Sequence, residues 1–205
     1  MRTGIVLAGG RSSRFGGDKL MEGLDGEALL ERAVAAVRAV ADEVIVAGRP
    51  GNAASPTIRS FVDAEPFGGP LLALLGVLGE ARGAVAVIVG GDMPRLVPAV
   101  LRAMLDRVDE DAAIDAVLLG QPPSSATPPA ASSGRRAVLP LVVQVPAALG
   151  AAEAAVGSGD RSLQALVDRL AHVELPASTW LALDPEGSTL LDVDTRADLE
   201  RIRPR

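Results

Sequence analysis

The 205 residues carry 20 basic and 26 acidic side chains for a net charge of −6, which argues against a general nucleic-acid binder, because that function needs a basic stripe for phosphates. Zero cysteines exclude disulfides, thiolate metal sites, iron–sulfur clusters and cysteine nucleophiles, and a single histidine, His172, leaves no Ser-His-Asp triad unless it serves. No apolar run reaches the roughly 18 residues of a membrane span, and Met1 to Leu7 runs into glycine rather than a signal-peptide core, so a soluble, cytoplasmic, membrane-free chain of one domain, 1–205, is expected.

Strand-like and helical runs alternate through the first half, the pattern of a parallel sheet covered by helices. Thr3 to Leu7 reads as a short apolar strand; Ala28 to Val40 is apolar at Leu29, Leu30, Ala33, Val34, Val37 and Val40, a helical period. Val44 to Ala47 and Ile58 to Val62 are the next strands, and Gly68-Gly69-Pro70 opens a helix from Leu71 to Leu78, proline standing near the first-turn position it tolerates. Ala84 to Val89 is a buried strand ending in Gly90-Gly91-Asp92, followed by a helix from Val97 to Val108 and a strand from Ala116 to Leu119.

The stretch of about 120–134 is rich in Pro, Ser and Ala with little to bury, and reads as a surface loop. A strand from Val138 to Val145, helices over Pro146 to Val156 and Ser162 to Leu170, a last strand from Leu190 to Val193 and a helix from Arg196 to Ile202 complete the chain. His172 lies in the alternating run Leu170 to Leu175 and is expected to be structural. Thr195, with Asp198 three residues on, has the form of a capping box.

The densest chemistry follows the first strand: Leu7-Ala8-Gly9-Gly10-Arg11-Ser12-Ser13-Arg14-Phe15-Gly16-Gly17-Asp18-Lys19. In an open parallel sheet, ligands sit at the carboxyl ends of strands. Four glycines let backbone N–H groups converge on an anion, Ser12 and Ser13 add hydroxyls, and Arg11, Arg14 and Lys19 add positive charge. That is the make-up of a polyphosphate cradle, although neither the Walker nor the G-x-G-x-x-G spacing is present. Lys19 is the only lysine among the 20 basic residues. Arginine is a wide planar fork and lysine a slim point charge suited to a crowded phosphate site, which makes this position stand out. Asp92, just past a buried strand, reads either as a Mg²⁺ ligand beside a nucleotide or as a cap for the helix beginning near Pro98.

The run resembles the signature of the molybdenum cofactor guanylyltransferases, in the wider family of nucleotidyltransferases: a strand, Leu-Ala-Gly-Gly-x-Ser-x-Arg-x-Gly, then Asp-Lys. The resemblance implies a single Rossmann-like α/β domain with a mostly parallel twisted sheet flanked by helices. It implies transfer of GMP from GTP to Mo-molybdopterin, with Mg²⁺, giving the guanine dinucleotide cofactor and pyrophosphate. It assigns nucleotide binding to Leu7, Ala8, Gly9, Gly10, Ser12, Lys19, Asp63 and Asp92, catalysis to Arg14, Lys19 and Asp92, and the metal to Asp92. Gly69, Pro70, Asp192 and Asp194 would serve the acceptor, and two residues apart on a strand Asp192 and Asp194 would face the same way. Other cofactor-biosynthesis proteins and molybdoenzyme chaperones are the further partners it suggests. Related enzymes using CTP tend to read Leu-Ala-Ala-Gly where this chain has Leu7-Ala8-Gly9-Gly10, which tilts the base to guanine. A cytidylyltransferase, another nucleotidyltransferase acting on a phosphorylated metabolite, and a non-catalytic nucleotide-binding accessory protein are the alternatives.

Overall fold

A computed structural model describes residues 1–9, 15–48, 58–62, 68–122 and 137–203. The elements are β1 (Arg2–Leu7), the short pair β2 (Gly23–Leu24) and β3 (Glu27–Ala28), α1 (Leu29–Arg38), β4 (Glu43–Ala47), β5 (Ile58–Phe61), α2 (Pro70–Glu80), β6 (Val85–Gly90) and α3 (Pro98–Asp109). There follow β7 (Ala116–Leu119), β8 (Leu141–Gln144), α4 (Val145–Gly157), α5 (Leu163–Val167), β9 (His172–Leu175), α6 (Ala177–Leu183) and α7 (Arg196–Ile202). Seven strands form one sheet in the order β5-β4-β1-β6-β8-β7-β9. Pairing is parallel from β5 through β6 and between β7 and β9, while β8 runs antiparallel to both β6 and β7. A hairpin or a crossover connection decides strand direction, which periodicity does not encode.

The central strands are uninterrupted β-branched runs because both of their faces are covered. Val85, Val87 and Val89 point to the side of α1 and α3, joined by Val6, Val44, Val46, Val100, Leu101 and Met104. Ala86 and Ile88 point the other way, with Ile5 and Ile45, against Leu71, Leu74 and Leu78 of α2 and Ala148, Ala152 and Ala155 of α4. Small alanines on α4 let it pack close to the sheet, as expected of an interior with few aromatics. The single tryptophan, Trp180, is fully buried on α6 and donates its indole N–H to the Gly120 carbonyl at 2.9 Å.

The chain leaves β1 toward β4 and β5, then returns to place β6 on the other flank of β1. The point where the direction of winding reverses therefore lies between the carboxyl ends of β1 and β6, where an open sheet leaves a crevice.

Three expectations are corrected. Residues 190–193 are not a strand: Ser188–Leu190 is a 3₁₀ turn and the chain then runs unpaired into α7. The strand expected from Val138 begins only at Leu141, and the helix expected over Ser162 to Leu170 closes at Val167. The β2–β3 pair, turned by Asp25 and Gly26 at positive φ, and α6 carried too short a periodic signal to be read. No helix among the described residues is long and apolar enough to cross a membrane. From residue 123 on, the expected 120–134 loop lies outside the described residues.

Candidate active site

At the reversal point, Leu7 and Ala8 are locked into the ends of the sheet. The Leu7 carbonyl accepts from Gly91 N–H at 2.9 Å, and Ala8 N–H donates to the Ala47 carbonyl at 2.8 Å. Gly9 emerges exposed beside Gly48. Gly48 has φ +89°, and a Cβ there would lie 2.8 Å from both Cα and N of Gly9. Two backbones cross at a distance only glycine allows.

Lys19 opens a 3₁₀ turn, Lys19–Met21, whose buried Leu20 anchors it; the Asp18 side chain caps the turn by accepting from Leu20 N–H at 3.3 Å. The turn aims the ammonium across the crevice, where Nζ donates to Asp92 Oδ2 at 2.7 Å and to Asp194 Oδ1 at 3.0 Å. Burial pushes the Lys19 pKa down, but the charges and hydrogen bonds of Asp92 and Asp194 more than offset it, so the net shift is upward and the group stays charged.

Asp92 leaves β6 through Gly90-Gly91, and its carboxylate folds back over Gly90, where a Cβ would meet Oδ1 at 2.4 Å. It is not a helix cap: Val97 occupies that position of α3, with no side-chain cap. Instead the Asp92 carbonyl accepts from Val193 N–H at 2.9 Å, bringing the C-terminal segment alongside. Thr195 and Asp198 form the expected capping box of α7, with Thr195 N–H donating to Asp198 Oδ2 at 2.7 Å and Asp198 N–H to Thr195 Oγ1 at 3.2 Å. Phe15 is buried against Leu24, Leu29, Val193 and Leu199, and the Arg196 guanidinium lies 5.1 Å above its ring.

The structure thus unites Lys19, Asp92 and Asp194. Asp192 is close enough to feel them: burial first, then the charges of Asp194 and Asp92, raise its pKa to about 6. The shared strand face expected for Asp192 and Asp194 does not exist, since the segment is not a strand, and of these two only Asp194 hydrogen-bonds to Lys19 among the described contacts. Gly69, at φ +103°, and Pro70 start α2. They lie against the turn between α4 and α5, where Arg161 donates to the Gly68 carbonyl at 3.2 Å and Leu71 N–H donates to the Arg161 carbonyl at 3.3 Å. Gly10, Ser12, Arg14 and Asp63 lie outside the described residues.

Sequence reasoning missed Gly48, Gly90, Val193 and Arg161. Only Gly90 carried a signal, as a glycine ending a strand beside a candidate ligand.

Among the described residues, no three acidic or imidazole side chains converge closely enough to hold a metal ion alone. Asp92 and Asp194 nevertheless already share one cation, the Lys19 ammonium. Two hard carboxylate oxygens facing one point suit Mg²⁺, which commonly takes one or two carboxylates and completes its shell with phosphate and water.

The profile of the MobA-like NTP transferase domain matches residues 4–174. A probable molybdenum cofactor guanylyltransferase of Chloroflexus aggregans is 33% identical over 99% of this chain and 94% of its own. A molybdenum cofactor guanylyltransferase of Xanthomonas euvesicatoria is 42% identical over 50% of this chain and 53% of its own. Among solved structures, molybdopterin-guanine dinucleotide biosynthesis protein A of Archaeoglobus fulgidus superposes with a TM-score of 0.75 at 21% identity, covering 98% of this chain and 96% of that one. The 2-C-methyl-D-erythritol 4-phosphate cytidylyltransferase of Thermus thermophilus shares the fold with a TM-score of 0.67 at 16% identity, over 96% and 95% of the two chains.

Proposed function

The chain belongs to the MobA-like NTP transferase family, and from that premise we propose that it is a molybdenum cofactor guanylyltransferase, moving GMP from GTP onto Mo-molybdopterin. The observation that carries the reading is the meeting of Lys19, Asp92 and Asp194 at the reversal point of the sheet, directly beyond the Gly-rich run. A guanylyltransferase named for this cofactor is 33% identical along nearly the whole chain.

In the reaction, an oxygen of the acceptor's terminal phosphate bonds to the α-phosphorus of GTP. The bond from that phosphorus to the oxygen bridging to the β-phosphate breaks, and pyrophosphate leaves with the electron pair. A phosphate monoester has a second pKa of about 6, so the nucleophile is ionised near neutral pH and no side chain need take a proton. A chain with one histidine and no cysteine is suited to that chemistry. The ammonium of Lys19 holds phosphate oxygens and offsets charge moving onto the leaving group. The exposed backbone at Gly9 offers approach to the nucleoside, and Ser12, Arg14 and Asp63 are assigned to the nucleotide on the family pattern. Gly69, Pro70 and Asp192 are assigned to the acceptor side. Asp92 and Asp194 would hold Mg²⁺, which would supply neutralisation of the negative charge on the triphosphate. GTP and Mo-molybdopterin are the substrates in this reading, with cofactor-biosynthesis proteins or molybdoenzyme chaperones receiving the product in the cytoplasm.

Pyrophosphate release with each of the four NTPs and molybdopterin tests the assignment. GTP is expected to support turnover, and Lys19→Ala to lower it at least tenfold, the usual cost of removing such a clamp, with an unchanged circular dichroism spectrum. Preference for CTP, or near wild-type turnover by the variant, would overturn it.

A further inference from the structure

The main chains that carry Asp92 and Asp194 cannot drift apart to relieve the repulsion of their carboxylates. The backbone bond from Val193 N–H to the Asp92 carbonyl, at 2.9 Å, ties together the residues that carry them. Asp194 N–H is held in turn by Asp198 Oδ2 at 3.3 Å, and Asp92 Oδ1 is seated over Gly90. Two carboxylates brought side by side in this way are stabilised by a cation between them. Lys19 supplies it, with Nζ 2.7 Å from one and 3.0 Å from the other. Its main chain is pinned by Leu20 and by Glu22 N–H donating to its carbonyl at 3.1 Å, while its four-carbon stem leaves the head free to swing.

The geometry points to a counter-ion role for Lys19 that precedes catalysis: in the free protein it occupies the cation position of the Asp92–Asp194 pair and keeps a bare divalent ion out. This rests on the proposed function and deepens it. A doubly charged ion arriving alone meets a positive charge already at bonding distance from both ligands, and it brings no anion of its own to draw Lys19 away. A triphosphate carrying its own divalent ion brings both the replacement cation and the oxygens that draw the ammonium away from Asp92. Metal and nucleotide therefore load as one unit, and the free protein does not store metal.

Mn²⁺ binding to the free protein, followed by electron paramagnetic resonance without nucleotide, tests this directly. Lys19→Met is expected to bind Mn²⁺ at least fivefold more tightly than wild type; equal or weaker binding overturns the counter-ion role. Wild-type protein gives a second readout that needs no variant. Because Lys19 is the sole lysine, ¹⁵N-lysine labelling yields one side-chain ammonium signal. That signal should stay in place with millimolar Mg²⁺ alone and move when GTP is added with Mg²⁺; movement with Mg²⁺ alone overturns the proposal. The two readings fail separately: the Mn²⁺ comparison contains no nucleotide, so it judges the counter-ion role even if GTP proves not to bind, whereas a preference for another NTP overturns only the guanylyltransferase assignment.

Discussion

Gly90 has φ outside the left-handed region, so its lack of a side chain matters for space rather than backbone conformation. A methyl there would strike Asp92 Oδ1, the end of a side chain that can swing aside. Gly90→Ala is therefore expected to leave the melting temperature within about 3 °C of wild type, the scale of about 1 kcal/mol for a chain of this size, while lowering turnover at least tenfold by moving the carboxylate from Lys19. Thermal melts and pyrophosphate release measured together check this, and parallel losses would show the glycine to be structural. Gly48 is the contrasting case. Its positive φ and its contact with the Gly9 backbone leave nothing flexible to move, so substitution strains the fold itself. The sequence marked Gly90 only as a glycine ending a strand beside a candidate ligand, and gave no sign of Gly48, whose role depends on the backbone that β1 places beside it.

The segment from Ser188 to Ile202 is where the expected and observed elements differ most, and where the site is assembled. Leu190-Leu191-Asp192-Val193 has strand-like composition, yet it pairs with no strand of the sheet. Val193 instead fills the pocket shared by Phe15, Leu24, Leu29 and Leu199 while its N–H reaches Asp92. One residue thereby joins the exit of the Gly-rich run to the exit of β6. Val193→Ala leaves a small void at a fully buried position and is expected to cost on the order of 2 kcal/mol. Assayed well below its melting point, it should raise the KM for GTP severalfold as the Lys19 turn loosens against Asp92. An unchanged KM would separate the packing from the site. The Thr195–Asp198 capping box was legible in advance because it is local, built from residues three apart.

Across the whole molecule, the end of the sheet opposite the site is closed by one buried acid. Glu43 Oε1 accepts from the Thr3 hydroxyl and from Arg82 N–H, both at 2.8 Å, and Oε2 accepts from Arg59 at 2.8 Å, joining β1, β5 and the turn before β6. Burial alone would raise its pKa, but the Arg82 N–H, the Thr3 hydroxyl and the Arg59 charge outweigh it, and the net shift is downward from 4.5. A carboxylate whose folded pKa is lowered contributes stability that is present above its unfolded value and lost as pH falls through the folded one. Glu43→Gln should therefore destabilise by about 1–3 kcal/mol at pH 7, the cost of unsatisfied buried partners, with the deficit narrowing below pH about 4. Urea denaturation of both proteins across that range measures it, and a deficit independent of pH would assign the effect to shape rather than charge.

By itself the sequence determined the α/β alternation, the buried strand β6, and the position of the Gly-rich run just after the first strand, and it singled out the one lysine and Asp92 as candidates. Those follow from periodicity, from local caps and turns, and from residue chemistry that needs no neighbour. Tertiary structure decided the antiparallel insertion of β8, the loss of the last strand, and the choice of Asp194 over Asp192 as the partner of Lys19. It also decided that Asp92 faces a cation instead of capping α3. Each of these turns on which backbone lies beside which, and residues 73 and 175 positions away from Lys19 meet it only once the sheet is wound.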